Sequence, residues 1–404
     1  MRNILFLGFC VQFSEFACYS KTDKASQVAA WKLESRYIQG LIESHCSVTS
    51  VASFAASTYP GNSRILFRFN SAKVLPERTI YSAPFVNLPG VKLLTRFFST
   101  IVLIAVYGFQ KRNESFTLVI YSLHQPFLLA GLVAKFFLRC KVYIIVPDMP
   151  LLMRTGSKTG MFVRWFKMLD FKILRLGINF VDGASFICYA MRSQFPMLEK
   201  KSVVIDGIVE LQVVPNCGSQ LEKSKYLDKI IILYTGALVE SYGVRLLLET
   251  VRYLPKEFQI WIAGAGELSG EVGRAAAANS QLRYLGLLSV QELSSIYGVT
   301  SLLINPRLLE EDFVKFSFPS KLLEYLVSGI PVLTSRLPSI QIDLIPYLSF
   351  IDDLTAQGIA SCIQSTCLDG YARSLEIAVS ARKYVSDTRS PKNQIKKLLL
   401  LMDT

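Results

Sequence analysis

Short apolar runs alternate with helix-like stretches along this chain, and this alternation restricts the fold more than any other feature. Short runs with no polar face are typical of strands that are buried on both sides. In the first half the candidate strands are ILFLGF (4–9), VTSVAS (48–53), ILFRF (65–69), TLVIYS (117–122), VYIIVPD (142–148) and ASFICY (184–189). Helical patterns lie between them, for example over 25–44 and 127–138. This order predicts a parallel sheet with helices on both faces.

The same alternation restarts after residues 197–228, which show little periodicity and which we interpret as a linker. The candidate strands after it are IIILYTGAL (230–238), FQIWIAGAG (258–266), LRYLGLL (282–288), SLLINP (301–306), IPVLTS (330–335) and LSFID (348–352). A chain of 404 residues is expected to form two domains. We predict α/β domains over 1–196 and 229–385, and a terminal helix over 386–404 that could return to the first domain. Two such Rossmann-like domains would face one cleft, because ligands bind at the carboxyl ends of parallel strands.

Cysteine and histidine usage argues against a metal site. The eight cysteines are scattered without C-x2-C spacing, and His45 and His124 are the only histidines. Zinc sites need closely spaced thiolate and imidazole ligands, so we expect no bound metal. In a chain of this length such thiols are typical of buried apolar positions in a reducing cytoplasm.

Two apolar segments bear on membrane targeting. The N-terminus MRNILFLGFCVQF resembles a signal peptide, but its apolar run is short and no clean cleavage site follows, so we favour a buried first strand. The apolar run over 97–109 is shorter than the roughly 20 residues that a spanning helix needs. We therefore expect no transmembrane span.

The formal net charge is +13, which is consistent with nucleic acid, an anionic membrane surface or anionic small ligands as partners. Recognisable nucleic-acid modules are absent from the sequence, so we expect no nucleic-acid partner. Residues 158–176 carry apolar side chains at helical spacing and Lys or Arg on the other faces, which is typical of a helix on an anionic membrane. The alternative is an ordinary amphipathic helix packed on its own sheet.

Glycines follow two predicted strands of the second domain. Gly236 comes after the strand that begins at residue 230, and Gly264 and Gly266 end the next one. Small residues there let backbone N–H groups approach a phosphate, and a following helix adds its positive N-terminal end. The alternative is that these glycines only serve tight turns between strand and helix.

The stretch KFSFPSKLLEYLVSGIPVL (315–333) predicts a short helix with a polar stripe. Pro319 suits the first helical position, and Gly329 marks the end. Lys321, Glu324 and Ser328 share one stripe by their spacing. They form either a solvated face with a weak Lys–Glu pair or one wall of a site for a charged ligand.

Five sequence blocks in the second half resemble those of a known protein family. They are YTGALVESYGVRLLLE, FQIWIAGAGEL, LRYLGLLS, SSIYGVTSLLINPR and FPSKLLEYLVSGIPVLTS. In this order they resemble the donor-binding half of family-four glycosyltransferases, which have the GT-B fold, and they look most like members from bacterial capsule, exopolysaccharide and O-antigen clusters. The stretches SQVAAWKLESRYIQGL, PFVNLPGVK, YIIVPDMP and VDGASFICYAM resemble the acceptor half of the same group.

The resemblance implies a role for Glu324. Family members carry two glutamates separated by seven residues, and the second, which Glu324 matches, binds the ribose of a nucleotide sugar. The first, which contacts the donor sugar, is replaced here by Phe316, and an aromatic residue looks typical of the subgroup with SFPSK. Glu310, Glu311 or Asp312 could contact the sugar instead.

A second departure concerns the phosphates. The family places an Arg and a Lys where this chain has Ala237 and Tyr242, so other groups must hold the diphosphate. The expected donor-binding set is Gly236, Gly264, Gly266, Leu285, Gly286, Arg307, Lys315, Ser317, Lys321 and Glu324. Of these, Leu285 and Gly286 would lie against the base, and the three cations would stabilise the leaving diphosphate.

In the first domain, two strand ends carry candidate catalytic residues, His124 and Asp148. Asp148 is the stronger candidate for a contact to the acceptor or donor sugar, although a strand-end Asp is also a common turn residue. His124, which precedes Gln-Pro, is also explained as a structural turn donor. The family performs a retaining transfer without an obligatory metal or cofactor, which is consistent with a sequence that has no D-x-D motif.

Together these features predict a glycosyltransferase that moves a sugar from a nucleotide sugar to a lipid-linked glycan acceptor in surface polysaccharide synthesis. It would be cytoplasmic and peripherally bound to the anionic inner face of the plasma membrane. Two alternatives stay open: a sugar-nucleotide 2-epimerase of the same architecture, and a non-catalytic glycan-binding or scaffold protein, which the two departures from the family pattern would explain.

Overall fold

The computed structural model describes residues 1–24, 27–149, 161–209, 228–309, 312–316 and 318–404. The chain forms two compact units, one of Met1–Ile208 with Pro391–Thr404 and the other of Val209–Ser390. The first unit thus extends beyond residue 196, where the sequence suggested a boundary, because a short strand after that residue joins its sheet.

The first unit contains ten strands and seven helices among the described residues. The strands are β1 (Arg2–Gly8), β2 (Cys46–Ala52), β3 (Leu66–Phe67), β4 (Asn70–Leu75), β5 (Arg78–Ser82), β6 (Phe85–Val86), β7 (Phe116–Tyr121), β8 (Lys141–Val146), β9 (Gly183–Phe186) and β10 (Ser202–Val204). The helices are α1 (Phe13–Ser20), α2 (Val28–Glu43), α3 (Val91–Gln110), α4 (Gln125–Leu138), α5 (Met161–Gly177), α6 (Tyr189–Arg192) and, after the second unit, α13 (Pro391–Asp403).

Eight of these strands form one sheet in the order β10-β9-β8-β7-β1-β2-β5-β4, and β3 and β6 pair separately. Neighbours in the sheet are parallel except for the edge pair β4–β5. The sequence predicted a strand over 65–69 and missed the hairpin of β4 and β5. The reason is that most side chains of β4 are exposed at the sheet edge, so its sequence lacks the apolar pattern of a buried strand.

Helices cover both faces of this sheet. Gly131 of α4 packs on Leu118 and Ile120 of β7. Side chains of α2 and α13 pack with Val119 and Tyr121, which point to the opposite face because side chains alternate along a strand. α3, α4 and α5 lie side by side in one layer.

One helix in the described part of the chain, α3, is long and apolar enough to cross a membrane by length and composition. Its most apolar 18-residue stretch has a mean hydropathy of 1.6, and 28% of that stretch is buried. The helix is longer than the apolar run over 97–109 from which the sequence analysis excluded a span, because Val91, Leu93 and Leu94 extend it beyond Arg96.

The second unit contains the six parallel strands that the sequence predicted. They are β11 (Ile230–Thr235), β12 (Phe258–Ala263), β13 (Leu282–Gly286), β14 (Leu302–Asn305), β15 (Val332–Ser335) and β16 (Ser349–Ile351). The helices are α7 (Val244–Thr250), α8 (Ser269–Ala278), α9 (Val290–Tyr297), α10 (Ser320–Ser328), α11 (Ala356–Gln364) and α12 (Tyr371–Thr388). The predicted α/β fold with two parallel-sheet domains is confirmed.

The strand order of the second sheet is β13-β12-β11-β14-β15-β16. The chain therefore moves outward from β11 in one direction and returns to its other side at β14. In open parallel sheets, this reversal leaves a crevice between the carboxyl ends of the two strands, and ligands bind there.

Gly243 closes one side of this crevice. It has a φ of 74°, and a Cβ at this position would lie 1.8 Å from the carbonyl oxygen of Pro306. The turn before α7 is therefore packed directly on the loop that follows β14. Only glycine combines this left-handed backbone with so close an approach.

We expect Gly243→Ala to lower the free energy of unfolding by about 3 kcal/mol, since left-handed strain and backbone overlap add together. Gly286→Ala is the matched control. Gly286 has a φ of 65°, but nothing lies within 4 Å of its Cβ position. We expect only the strain, about 1 kcal/mol, from this control. Urea denaturation of both variants measures the difference, and equal losses would contradict the packing described here.

Candidate functional site

Arg307 lies in the crevice at the carboxyl end of β14. It is 7% exposed, and its guanidinium carbon lies 4.1 Å from the centre of the Tyr242 ring. Its Nε and Nη1 atoms are buried and have no hydrogen-bond partner among the described residues. A buried cation with unsatisfied donors lowers the stability of the fold. Its presence at a crevice is therefore typical of a residue that binds an anionic ligand.

Helix α10 is fixed to the other strand of the crevice by Tyr325. The buried Tyr325 hydroxyl accepts a hydrogen bond from Thr235 N at 2.8 Å and donates one to Thr235 O at 3.1 Å. Burial raises the pKa of Tyr325 to about 12, while the nearby charge of Arg307 opposes this shift. The helix, the end of β11 and Arg307 thus belong to one cluster.

Lys321 and Glu324 form an ion pair on α10, with 2.6 Å between Lys321 Nζ and Glu324 Oε2. The side chains keep 39% and 32% of their exposure. Burial raises the pKa of Tyr297, and the nearby Tyr325 and then the charge of Glu324 raise it further. The carboxylate therefore lies close to the buried tyrosines of the crevice and remains accessible to solvent.

Ser328 does not share the exposed stripe that the sequence predicted. Its hydroxyl donates to Tyr325 O at 2.6 Å and accepts from Ile330 N at 3.2 Å, so it ends the helix. The helix starts at Ser320, and Pro319 takes the capping position rather than the first helical one. Proline is suitable there because the N–H that it lacks would have no helical partner.

The two glycine turns are packed against each other. Gly264 has a φ of 140°, and a Cβ there would lie 1.8 Å from Gly236 O. All three predicted phosphate donors are already used within the protein: Gly236 N donates to Ala263 O, Gly264 N to Gly286 O, and Gly266 N to Ser269 Oγ. A phosphate would have to compete with these bonds, so the conformation favours the tight-turn interpretation of these glycines.

The remaining predicted residues surround the same strand ends. Leu285 and Gly286 end the edge strand β13 and are half-buried. Lys315 is exposed and Phe316 half-buried in a 3-10 turn over Asp312–Phe316. Ser317, Glu310 and Glu311 lie outside the described residues, as does the side chain of Asp312.

Sequence reasoning missed the tyrosines of this cluster. Tyr234, Tyr297 and Tyr325 lie in β11, α9 and α10, and Tyr242 precedes α7. Their spacing along the chain gives no sign that they meet. Burial raises the pKa of Tyr234 well above its usual range, and its hydroxyl donates to Ala237 O at 2.8 Å. Only the strand order shows that these side chains converge on one crevice.

In the first unit, Glu34 is buried beneath the end of β1. It accepts hydrogen bonds of 2.9 Å from the backbone N–H groups of Phe9 and Cys10. A Cβ on Gly8 would lie 2.0 Å from Glu34 Oε1, so the glycine makes room for the carboxyl. Burial raises the pKa of Glu34 to about 8, against the opposing effect of these hydrogen bonds.

His124 follows β7 and is packed between aromatic rings. Its ring centre lies 5.0 Å from that of Phe9 and 4.8 Å from that of Phe127. Burial lowers the pKa of His124 well below its usual range, and the charges of Arg96 and Lys92 act in the same direction. Within the described part of the chain, its Nε2 has no hydrogen-bond partner. A neutral imidazole in this position is a weak base at neutral pH.

Asp148 follows β8 and keeps some solvent exposure. Burial raises its pKa to about 6. A carboxyl with this pKa can bind or release a proton near neutral pH. Among the two candidate residues of the first unit, Asp148 therefore has the more suitable chemistry.

Residues 229–345, which include the whole crevice of the second unit, match the family model for glycosyl transferases group 1. No curated protein matches the chain significantly.

Solved structures match the chain over its full length. Sucrose-phosphate synthase from Thermosynechococcus elongatus has a TM-score of 0.66 at 12% identity, covering 100% of this chain and 99% of that one. Anabaena HepE, solved with UDP and glucose, has a TM-score of 0.63 at 14% identity, with 100% of both chains covered. The lipopolysaccharide outer core galactosyltransferase WaaB, in its apo form, has a TM-score of 0.63 at 14% identity, with 99% of both chains covered.

These neighbours are GT-B glycosyltransferases, and the fold of this chain is the GT-B fold. The match of the second unit to the group 1 family supports a sugar transferase.

We expect Glu34 to contribute stability that is lost as pH rises from about 5 to 8. Its folded pKa of about 8 lies above the ordinary value of 4.5, so in this window the folded state holds a proton that the unfolded state has lost. One pKa unit corresponds to about 1.4 kcal/mol, so the loss amounts to a few kcal/mol. Glu34→Gln should reduce this slope, whereas Glu43→Gln, at an exposed site on the same helix, should keep it. Urea melts at several pH values measure the slope, and an unchanged slope in Glu34→Gln would refute the assignment.

Proposed function

We propose that the protein is a retaining glycosyltransferase that moves a sugar from a nucleotide sugar to a lipid-linked glycan acceptor in surface polysaccharide synthesis. The observation that carries the proposal is Arg307, a buried cation with unsatisfied donors at the strand-order reversal of the second unit. The family match over 229–345 and the UDP and glucose bound to Anabaena HepE favour a nucleotide sugar as the anionic ligand.

In this proposal Glu324 accepts hydrogen bonds from the ribose hydroxyls. It is the one carboxylate of α10, and it remains accessible at the rim of the tyrosine cluster. Its present partner, Lys321, lies one helical turn away and would turn from the carboxylate towards a phosphate. Exchange of an exposed ion pair for ligand contacts costs little, because such pairs contribute only a few tenths of a kcal/mol.

Arg307 holds the diphosphate, with Lys321 and Lys315 as further cations. As the bond between sugar and phosphate breaks, negative charge grows on the leaving diphosphate, and fixed cations stabilise it. Arg307 is already immobilised on the Tyr242 ring, so little conformational entropy is lost when the donor binds. Leu285 and Gly286 contact the base.

The acceptor hydroxyl is aligned on the same face of the sugar as the leaving group, which gives retention without a resident metal. Asp148 is proposed to contact the acceptor or the donor sugar, since its pKa of about 6 allows proton exchange near neutral pH. His124 is assigned a structural role rather than a catalytic one. The enzyme would work in the cytoplasm, peripherally bound to the inner face of the plasma membrane.

Nucleotide binding tests the ribose assignment. We expect UDP, GDP or TDP to raise the melting temperature, since a ligand at 100 times its Kd adds about 2.7 kcal/mol to the free energy of unfolding. Glu324→Ala should abolish this shift, and Glu376→Ala, an exposed glutamate on α12, should retain it. A shift that survives in Glu324→Ala would refute the ribose assignment. No shift with any nucleotide in the wild type would refute the transferase.

Arg307→Met separates a binding role from a structural one. The removal of a buried, unsatisfied cation should leave the free energy of unfolding unchanged or raise it. The loss of charge-assisted hydrogen bonds should weaken UDP binding at least tenfold, about 1.4 kcal/mol. Arg283→Met is the control, because Arg283 lies 4.7 Å above the Trp261 ring at the sheet edge. Calorimetric titration and urea melts give both quantities, and a destabilised variant with unchanged affinity would show that Arg307 is structural.

A further inference from the structure

The first three turns of helix α3 have their polar side facing the protein. Lys92 and Arg96 are buried on successive turns, followed by Thr100. Lys92 Nζ donates to the backbone oxygen of Ala56, and Arg96 Nη2 donates to that of Phe54. These cations are held by backbone carbonyls, in positions where a helix on a sheet normally has aliphatic side chains.

The outer side of α3 is apolar. Leu94, Phe98, Val102 and Val106 follow one another at four-residue steps, and all are exposed, Phe98 by 63%. Two residues along a helix correspond to 200° around its axis, so this stripe lies opposite the stripe that starts at Lys92. Over the first three turns of α3, the amphipathic pattern is therefore inverted relative to that of an ordinary surface helix, whereas Ile104 and Tyr107 are buried apolar residues further along.

The neighbouring helix continues this surface. α3 packs against α4, with Gly108 beneath Leu138. On α4, Gly131 faces the sheet, whereas Phe136 and Phe137 are 78% and 73% exposed. We define the apolar face by Leu94, Phe98, Val102 and Phe109 of α3 with Phe136 and Phe137 of α4. Exposed apolar surfaces of this kind mark interaction sites.

The charged residues of α3, α4 and their ends have one sign, and the carboxylates of Glu114 and Asp182 beside them pair with Lys111 and Lys135. Residues 91–112 and 125–141 contain no Asp or Glu. Arg112, Arg139 and Lys141 are exposed at the ends of the two helices, and the Arg112 guanidinium lies 5.2 Å from the centre of the Phe109 ring. A second copy of the chain on this face would bring like charges together. An anionic bilayer satisfies both the apolar side chains and the cations.

We propose that the apolar face lies in the headgroup region of an anionic phospholipid bilayer, with α3 and α4 parallel to the membrane plane. The aromatic side chains enter the boundary of the acyl chains, and the cations at the helix ends contact lipid phosphates. The inference rests on the proposed function in taking a membrane as the partner, but its own support is the inverted polarity of the first turns of α3 and the exposed apolar face.

Cosedimentation of the full chain with vesicles tests the surface. We expect the wild type to bind vesicles of phosphatidylglycerol and phosphatidylcholine in equal parts. The double variant Phe98→Glu, Val102→Glu should bind them at least tenfold more weakly, since both side chains point outward and the core is untouched. Val379→Glu, on the exposed side of α12 in the second unit, is the matched control and should bind like the wild type.

A second experiment tests whether binding requires anionic lipid. Vesicles of phosphatidylcholine alone should bind the wild type at least tenfold more weakly than the anionic vesicles. The variant Arg112→Glu, Arg139→Glu should lose a similar factor on anionic vesicles and little on neutral ones, because only the electrostatic attraction is removed.

Other outcomes overturn the proposal. A wild type that does not sediment with anionic vesicles refutes it, as does a Phe98→Glu, Val102→Glu variant that binds like the wild type. A dimeric wild type, with a monomeric variant and no vesicle binding by either, would assign the face to a second copy. A protein that shows nucleotide-induced stabilisation but no vesicle binding loses only this inference, whereas vesicle binding without any nucleotide effect refutes only the proposed function.

Discussion

The hydrogen bonds between the Tyr325 hydroxyl and the backbone of Thr235 organise the second unit. They join helix α10 to the end of the central strand β11, on the side where the strand order reverses. The bonds lie in a buried environment, where hydrogen bonds are strong and an unpaired backbone group would be costly. α10 cannot slide along the sheet without breaking these bonds. The positions of the accessible Lys321 and Glu324 relative to β11 are therefore fixed.

Close backbone packing supplies the second constraint. Gly243 lies against Pro306, and Gly264 lies against Gly236. The loops around the crevice are thus held by contacts that leave no room for a side chain. A binding site built on such loops is largely formed before the ligand arrives, and less ordering entropy is lost on binding.

The fold could be predicted from the sequence because buried parallel strands carry apolar runs, and the central strands of the second unit, such as β11 and β12, carry long ones. The hairpin of β4 and β5 could not, since an exposed edge strand has no such run. Lys321 and Glu324 could be identified as a pair from their spacing on one helix. The burial of Arg307 and the convergence of four tyrosines depend on strand order, which no local pattern records.

The polarity of α3 was hidden for a different reason. Periodicity identifies two faces of a helix, but it does not say which face meets the sheet, and the usual rule gives the wrong answer for Lys92 and Arg96. The inward contacts of the first turns of α3 are hydrogen bonds from cations to carbonyl oxygens, whereas Ile104 and Tyr107 provide apolar packing further along the helix. Electrostatic contacts strengthen when the surrounding dielectric constant falls, whereas apolar contacts lose their advantage when water is replaced by hydrocarbon. The attachment of α3 through Lys92 and Arg96 is therefore of the kind that a non-aqueous neighbour on the outer side would strengthen.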